Sequence, residues 1–143
     1  MISTSHLHPM IVHFPIALLI AGFVAEIVSL FFRTEKCLSR AGFYLLVLGS
    51  LAAIAAWSSG HLFTSEPAEG AVREIFLRHE TGGLITMLLA IGAIAFRTWL
   101  IIAKKEGTQL KWIALALYFA AFASVCYTGF IGGTMVYSYM MAL

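Results

Sequence analysis

Apolar residues dominate four long segments of the chain, and short polar stretches separate these segments. The segments cover about residues 10–32, 41–60, 80–103 and 112–137. Each has close to the ~20 residues that an α-helix needs to cross a hydrocarbon layer about 30 Å thick. Strands are excluded, because an open sheet cannot span lipid. The pattern predicts an all-α protein, a single transmembrane domain over residues 1–143 folded as an up-down-up-down four-helix bundle.

The composition agrees with a protein that lies in a lipid bilayer. Of the 143 residues, 61% are hydrophobic and 11% are charged, whereas a soluble domain carries roughly a quarter charged residues. The net charge of +2 is too small to indicate a nucleic-acid partner. The polar start of the chain lacks the basic region of a signal peptide, so the first segment is expected to remain a membrane span. Cys37 and Cys126 are not expected to form a disulfide.

The polar links between the segments predict the orientation in the membrane. Residues 33–40 and 104–111 carry six Lys and Arg residues, whereas the longer link over residues 61–78 carries only Arg73 and Arg78. Cytoplasmic loops are enriched in Lys and Arg. The short links are therefore predicted to be cytoplasmic, and both termini are predicted to lie outside. If the cell is a Gram-negative bacterium, this topology predicts an inner-membrane protein with both chain ends in the periplasm.

Glu26 and Arg97 are the only charged residues well inside the apolar segments, and both lie about equally far from the predicted cytoplasmic end. A charge inside a membrane usually pairs with another polar group. We therefore predict an ion pair that links the first span to the third; a proton-relay role for Glu26 is the alternative. Residues 71–77 are predicted to form a short interfacial helix, and no internal repeat is apparent.

All five histidines are predicted to lie at the outer end of the bundle. His8 and His13 flank the start of the first span, His61 closes the second span, and His79 opens the third, while His6 is expected to be an ordinary surface residue. Neutral imidazole is a frequent ligand of transition metals and of haem iron. The convergence of His8, His13, His61 and His79 predicts a bound metal ion or haem.

The chain has no C-x-x-C-H motif, so a haem would be a non-covalent b-type group held by histidines from two helices. Pro9 suits the first position of a helix, and His8 is therefore the predicted N-cap. His13 is expected to be the deepest histidine and the costliest to leave without a partner. We predict His13 and His79 as the ligand pair, with His8 and His61 as a second pair or as supporting residues.

Glycines and arginines at the same end favour haem over a bare ion. Glycine lets a flat macrocycle, or another helix, approach a backbone closely. Gly132 and Gly133 are the glycines expected to line the site, and Arg73 and Arg78 are the expected partners of the haem propionates. The alternative is a bare copper, iron or zinc ion bound by the histidines. Methionine thioethers favour Cu(I), and four methionines are predicted at this level: Met10, Met135, Met140 and Met141.

Two motifs resemble those of a known family. Residues 8–18 read H-P-M-I-V-H-F-P-I-A-L, and residues 128–137 read T-G-F-I-G-G-T-M-V-Y. Together with His79-Glu80 they resemble the DUF2231 family of small bacterial membrane proteins, over about residues 7–138. Met135 stands where the family usually has leucine. The association of family members with c-type cytochrome or rubredoxin modules implies a redox role with bound haem.

These observations favour an electron-transfer protein that carries a b-type haem near the periplasmic face. Its predicted partners are the lipid bilayer, a quinol or a periplasmic cytochrome, and other subunits of a larger redox complex. A metal-binding membrane protein without haem and a purely structural subunit are the alternatives. The chain contains neither H-E-x-x-H nor G-x-S-x-G, so nothing indicates a stand-alone hydrolase.

Overall fold

The computed structural model of the protein describes residues 7–32 and 34–139. His6, Met140 and Met141 lie outside these residues. Within them, four helical spans are long and apolar enough to cross a membrane, so the predicted all-α membrane fold is confirmed. The helices are α1 (Leu7–Ile11), α2 (His13–Phe31), α3 (Lys36–Phe63), α4 (Ala71–Ile102) and α5 (Leu110–Tyr139).

The first span is made of α1 and α2, which are separated only at Val12. The backbone N–H of Val12 still donates to the carbonyl oxygen of His8 at 3.1 Å, so the chain stays helical in direction. Pro15 has no backbone N–H, and the carbonyl of Ile11 therefore receives no helical hydrogen bond from it. This local irregularity lies next to the histidines of the first span.

The spans pack as two antiparallel hairpins. Helix α2 packs on α3 and α4 packs on α5, while the hairpins meet through α3 with α4 and through α2 with α5. We call the end of the bundle with His8 and His79 the histidine end, and the opposite end, where Glu26 and Arg97 lie, the charged end. The core between them is apolar: Leu19, Leu46, Ala90, Ala93, Tyr118, Ala121 and Val125.

Small residues let the helices approach each other closely. A Cβ atom at Gly49 would lie 2.7 Å from Cδ2 of Leu19, whose side chain is completely buried. Only 22–33% of the most apolar stretch of each span is buried in the bundle, so most of its apolar surface faces lipid. Backbone proximity at small residues is the usual basis of helix packing in membranes, because lipid removes the hydrophobic drive between helices.

The third span differs from its predicted limits. Helix α4 begins at Ala71 and runs without a break to Ile102, so residues 71–77 are the first turns of this helix and do not form a separate interfacial helix. At about 1.5 Å per residue such a helix is roughly 48 Å long, which exceeds the hydrocarbon thickness. Hydropathy marks where the helix enters lipid, whereas Arg73 and Glu74 are compatible with a helix in water.

Glu26 and Arg97 form the predicted ion pair between α2 and α4. Nη1 of Arg97 lies 2.5 Å from Oε1 of Glu26, and both side chains are almost completely buried. Nη2 of Arg97 donates to Oγ of Ser39 at 2.8 Å. Gly42 leaves room for the carboxylate, because a Cβ there would lie 2.8 Å from Oε2 of Glu26. The pair therefore joins three helices at the charged end.

Removing one partner of this pair should destabilise the bundle strongly. We expect Arg97→Ala to cost about 3–5 kcal/mol of unfolding free energy, because it leaves the Glu26 carboxylate buried without a cation. The double substitution Glu26→Gln with Arg97→Met should recover part of this loss. The measurement is reversible unfolding of the purified protein in mixed detergent micelles.

The matched control is Arg78→Ala. Arg78 pairs with Glu74 at 2.6 Å, but both side chains are exposed, and such pairs contribute at most about 1 kcal/mol. Equal losses in Arg97→Ala and Arg78→Ala would contradict a special role for the buried pair.

Candidate functional site

His8 is the buried imidazole of α1. Its Nδ1 atom lies 3.0 Å from Oγ of Ser59 on α3. The Ser59 hydroxyl donates its single proton to the carbonyl oxygen of Ala56, 2.9 Å away. Because Oγ of Ser59 can then only accept from His8, Nδ1 of His8 carries the proton and Nε2 keeps an unshared electron pair.

His79 reaches the same protonation pattern by another route. It lies on α4, and its Nδ1 atom is 3.1 Å from the carbonyl oxygen of Thr128 on α5. A carbonyl oxygen only accepts hydrogen bonds, so Nδ1 of His79 is the donor and Nε2 is unprotonated. Metal-ligating histidines are commonly oriented in this way, with one ring nitrogen donating to a backbone or side-chain oxygen.

The rings of His8 and His79 are neighbours at the histidine end. Their centroids are 6.3 Å apart, and the ring planes are inclined at 82°. Each ring also lies against a glycine of an adjacent helix: a Cβ at Gly60 would be 2.8 Å from Cε1 of His8, and one at Gly132 would be 3.0 Å from Cε1 of His79. These two glycines thus make room for the imidazoles themselves.

The structure assigns His8 and His13 different environments from those predicted. Helix α1 begins at Leu7, so His8 lies inside the helix and is not its N-cap. The side chain of His13, the predicted buried ligand, is exposed, and its Nδ1 atom donates to the carbonyl oxygen of Pro9 at 2.6 Å. The ring beside His79 is that of His8. The helix rotation, which hydropathy does not fix, decides this outcome.

His61 belongs to a separate cluster on α3 and α4. Its Nδ1 atom lies 3.3 Å from Oε1 of Glu80, and the side chain of His61 is 62% exposed. The imidazole stacks on Trp57 with the ring planes inclined at only 6°. Glu80 therefore holds His61 and not the adjacent His79, because neighbouring residues of a helix point in different directions.

All four predicted histidines line one cavity of about 510 Å³ at the histidine end. The rings of His8 and His79 are neighbours, whereas His13 and His61 are exposed. Glu80, Thr86 and Thr128 add polar groups. The rest of the lining is mostly apolar or small, including Val12, Ile16, Ala53, Phe76, Gly83, Val125, Gly129, Gly133 and Met135.

Arg73 and Arg78 do not line this cavity. Nε of Arg73 lies 2.7 Å from Oε1 of Glu66, and Arg78 pairs with Glu74. Both arginines are thus engaged with glutamates, and the predicted contact with haem propionates has no support in the arrangement of the side chains. Gly133, in contrast, lines the cavity, and a Cβ at this position would meet nothing within 4 Å.

No group of three or more His, Cys, Asp or Glu side chains is arranged to hold a metal ion within residues 7–32 and 34–139. Cys37 and Cys126 are free and exposed. Of the methionines predicted at this level, Met10 is exposed and Met135 is buried in the cavity wall. The described side chains therefore offer pairs of ligands and no complete shell for a bare ion.

The sequence pattern predicts no role for Ser59 or for the carbonyl of Thr128, yet these groups fix the imidazoles of His8 and His79. The sequence does contain a signal for these two contacts, namely a glycine close to a hydrogen-bond acceptor on the neighbouring span. Ser59 directly precedes Gly60, and Thr128 is one helical turn before Gly132, so each histidine contact combines a small residue with a nearby hydrogen-bond acceptor. In both cases the glycine leaves room for the imidazole and the acceptor orients it.

Substituting the two adjacent glycines of α5 should affect His79 differently. In Gly132→Ala the new methyl group would contact the ring of His79, which the Thr128 carbonyl prevents from simply moving away; in Gly133→Ala it would enter open space. We expect the imidazole NMR resonances of His79 in detergent micelles to shift in Gly132→Ala and to stay in place in Gly133→Ala. Equal spectra for the two variants would contradict the placement of His79.

Comparison with known proteins places the chain in a family without assigning an activity. Searches among curated proteins and among solved structures found no match. The family model described as "Predicted membrane protein (DUF2231)" matches residues 4–143, which is nearly the whole chain and includes both motifs noted in the sequence. The protein therefore belongs to the DUF2231 family of predicted membrane proteins.

Proposed function

We propose that this protein binds a b-type haem in the cavity at the histidine end and transfers electrons through it. One observation carries the proposal. The imidazoles of His8, His13 and His79 line one cavity, and each has its Nδ1 hydrogen bond directed at an oxygen of the protein. Within the described part of the chain, none of them has a hydrogen-bond partner at Nε2, which leaves that atom available to a metal.

The size and lining of the cavity fit a cofactor. Its volume is about 510 Å³, and cavities of roughly 300–1,000 Å³ bind cofactor-sized ligands. Its walls are largely apolar, as suits a hydrophobic macrocycle, and Gly133 opens toward free space. The polar groups of the wall are few, and two of them, the Thr128 carbonyl and the Glu80 carboxylate, contact the imidazoles of His79 and His61.

The number of ligands favours haem over a bare ion. Copper, iron and zinc ions without a macrocycle need three or four protein ligands in a structural or redox site, and no such group exists among the described side chains. Haem iron needs only one or two axial ligands from the protein, because the porphyrin supplies the others. The imidazoles of His8, which is buried, and His79, which is partly buried, meet that need.

The residues of the chain have separate roles in such a site. A bound haem supplies a one-electron redox centre. Ser59 and the Thr128 carbonyl hold the Nδ1–H groups and so fix the direction of the ring Nε2 atoms. The apolar lining restricts water, and both hydrogen bonding to the ligands and burial tune the potential of haem iron.

The position of the cavity indicates the kind of redox partner. The distribution of Lys and Arg supports a position of the histidine end at the periplasmic face of a bacterial inner membrane, because cytoplasmic loops are enriched in these residues. A site at this level can be approached from the bilayer by a quinol or from the periplasm by a cytochrome. The small size of the chain suits an accessory subunit of a larger membrane redox complex better than a stand-alone enzyme.

The test is visible absorption spectroscopy of the detergent-purified protein, produced with ample haem, before and after reduction with dithionite. We expect a Soret band and, on reduction, sharp α and β bands. His79→Ala should lose these bands, because it removes an imidazole fixed beside the cavity. The control Trp112→Ala, which changes an exposed aromatic residue at the charged end, should retain them.

A featureless spectrum of well-folded protein saturated with haem would contradict the proposal. Metal analysis of the same sample would then separate the alternatives. A stoichiometric copper, iron or zinc content would indicate a bare-ion site completed by groups outside the described residues or by a second chain. A metal-free protein would indicate a structural subunit.

A further inference from the structure

The two hairpins share a pattern of buried positions. All five buried residues of the first span have a counterpart on α4 that lies 71 positions later and is buried or partly buried, while Phe76, Gly82 and Leu100 of α4 are buried in addition. The pairs are His8 with His79, Pro15 with Thr86, Leu19 with Ala90, Gly22 with Ala93 and Glu26 with Arg97; all are buried except His79 and Arg97, which are partly buried.

The second helix of each hairpin repeats in the same way, with an offset of 72 positions. The extra position falls in the turn between the helices. Six buried residues of α3 have buried counterparts on α5: Gly42 with Ala114, Leu46 with Tyr118, Gly49 with Ala121, Ala53 with Val125, Ala56 with Thr128, and Ser59 with Ile131.

The contacts of the histidines repeat as well. His8 lies on Gly60 and His79 lies on Gly132, and these glycines are counterparts at the same offset of 72. The carbonyl that accepts from His79 belongs to Thr128, whose counterpart is Ala56. The Ala56 carbonyl is linked to His8 through the Ser59 hydroxyl. Both hairpins therefore hold an imidazole with the same backbone position, once directly and once through a hydroxyl.

Counterparts from the two hairpins meet each other at both ends of the bundle. The His8 and His79 rings are neighbours at the histidine end, and Glu26 is paired with Arg97 at the charged end. In an arrangement with two-fold symmetry, a residue touches its own counterpart only on the axis. Since both hairpins cross the membrane in the same direction, this axis runs along the membrane normal, as in other parallel repeats of membrane proteins.

We propose that the chain is a tandem repeat of one helical hairpin, and that the equivalent residues His8 and His79 are the pair that would hold the iron of a bound haem. The identity of the ligand rests on the function proposed above. His13 is outside the pair, because its counterpart is Leu84. The assignment replaces the predicted pair of His13 and His79.

The distance between the rings supports this assignment. Two imidazoles that bind one metal atom from opposite sides, with metal–nitrogen bonds of about 2 Å, have ring centres roughly 6 Å apart. The observed separation of the His8 and His79 centroids is 6.3 Å. The separation of the two ring centres therefore matches the one that a single metal atom bound between two imidazoles requires.

The ligand assignment is tested on protein loaded with hemin. Methionine in place of an axial histidine changes bis-histidine ligation to histidine–methionine ligation, which electron paramagnetic resonance and near-infrared magnetic circular dichroism distinguish. We expect His8→Met and His79→Met to lose the bis-histidine signature to the same extent, and His13→Met to retain it. Retention in His8→Met, or loss in His13→Met, would overturn the assignment.

The repeat is tested without haem by exchanging the charges at the other end of the axis. Glu26→Arg and Arg97→Glu each place like charges together, so each single variant should lose cooperative unfolding in detergent. Because the axis relates the two positions, the double variant should regain it. A double variant no better than the single ones would overturn the repeat.

The two proposals fail in different ways. Wild-type protein that binds no hemin would overturn both the haem function and the axial pair, whereas the charge exchange would still report on the repeat. Hemin binding with a bis-histidine signature that depends on His13 would keep the function and overturn only the pair inferred from symmetry.

Discussion

The hydrocarbon core of a bilayer contains no water, so every polar group there must form its hydrogen bonds within the protein. The arrangement of this bundle depends on that constraint. Among the described residues, no fully buried side-chain nitrogen or oxygen lacks a hydrogen-bond partner. The partners mostly lie on other helices. Arg97 joins Glu26 and Ser39, and the Ser50 hydroxyl reaches the Ala90 carbonyl at 3.2 Å. Because apolar packing hardly distinguishes one helix neighbour from another in lipid, such bonds fix which helices meet.

Glycines on neighbouring helices make these hydrogen bonds possible, because a buried polar side chain needs space beside a neighbouring backbone. Gly42 leaves room for the Glu26 carboxylate, and Gly60 and Gly132 leave room for imidazoles. The glycines of the candidate site are thus needed for the packing of the imidazoles themselves, without any bound cofactor. They allow His8 and His79 to lie against adjacent helices, where oxygen acceptors orient them.

Hydropathy and charge predict the gross fold and the ion pair, because both follow from properties that depend on depth in the membrane. Glu26 and Arg97 lie at the same depth, and each needs a partner, so their pairing follows from the sequence. Whether His8 or His13 faces His79 depends on rotation about the helix axis and on the break near Val12, and neither is encoded in hydropathy. The start of α4 at Ala71 is missed for a related reason, since a helix can continue beyond the lipid boundary.

The internal repeat is not visible in the sequence, because equivalent positions of the two hairpins are both buried but mostly carry different residues. A buried position accepts Leu19 in one hairpin and Ala90 in the other as long as their neighbours compensate in volume. Identity survives at the histidines and at Gly60 with Gly132, where a contact depends on the particular residue.

The positions at which the two hairpins carry different residue types are as informative as the shared ones. Trp57 and His61 correspond in position to Gly129 and Gly133, so one side of the cavity carries an aromatic residue and an imidazole paired with Glu80, and the other side carries two glycines. The two hairpins therefore provide a symmetric base around His8 and His79 but two different walls above it. Any molecule bound in this cavity meets an environment with two distinct faces, and the difference arises entirely from side chains that the repeat does not share.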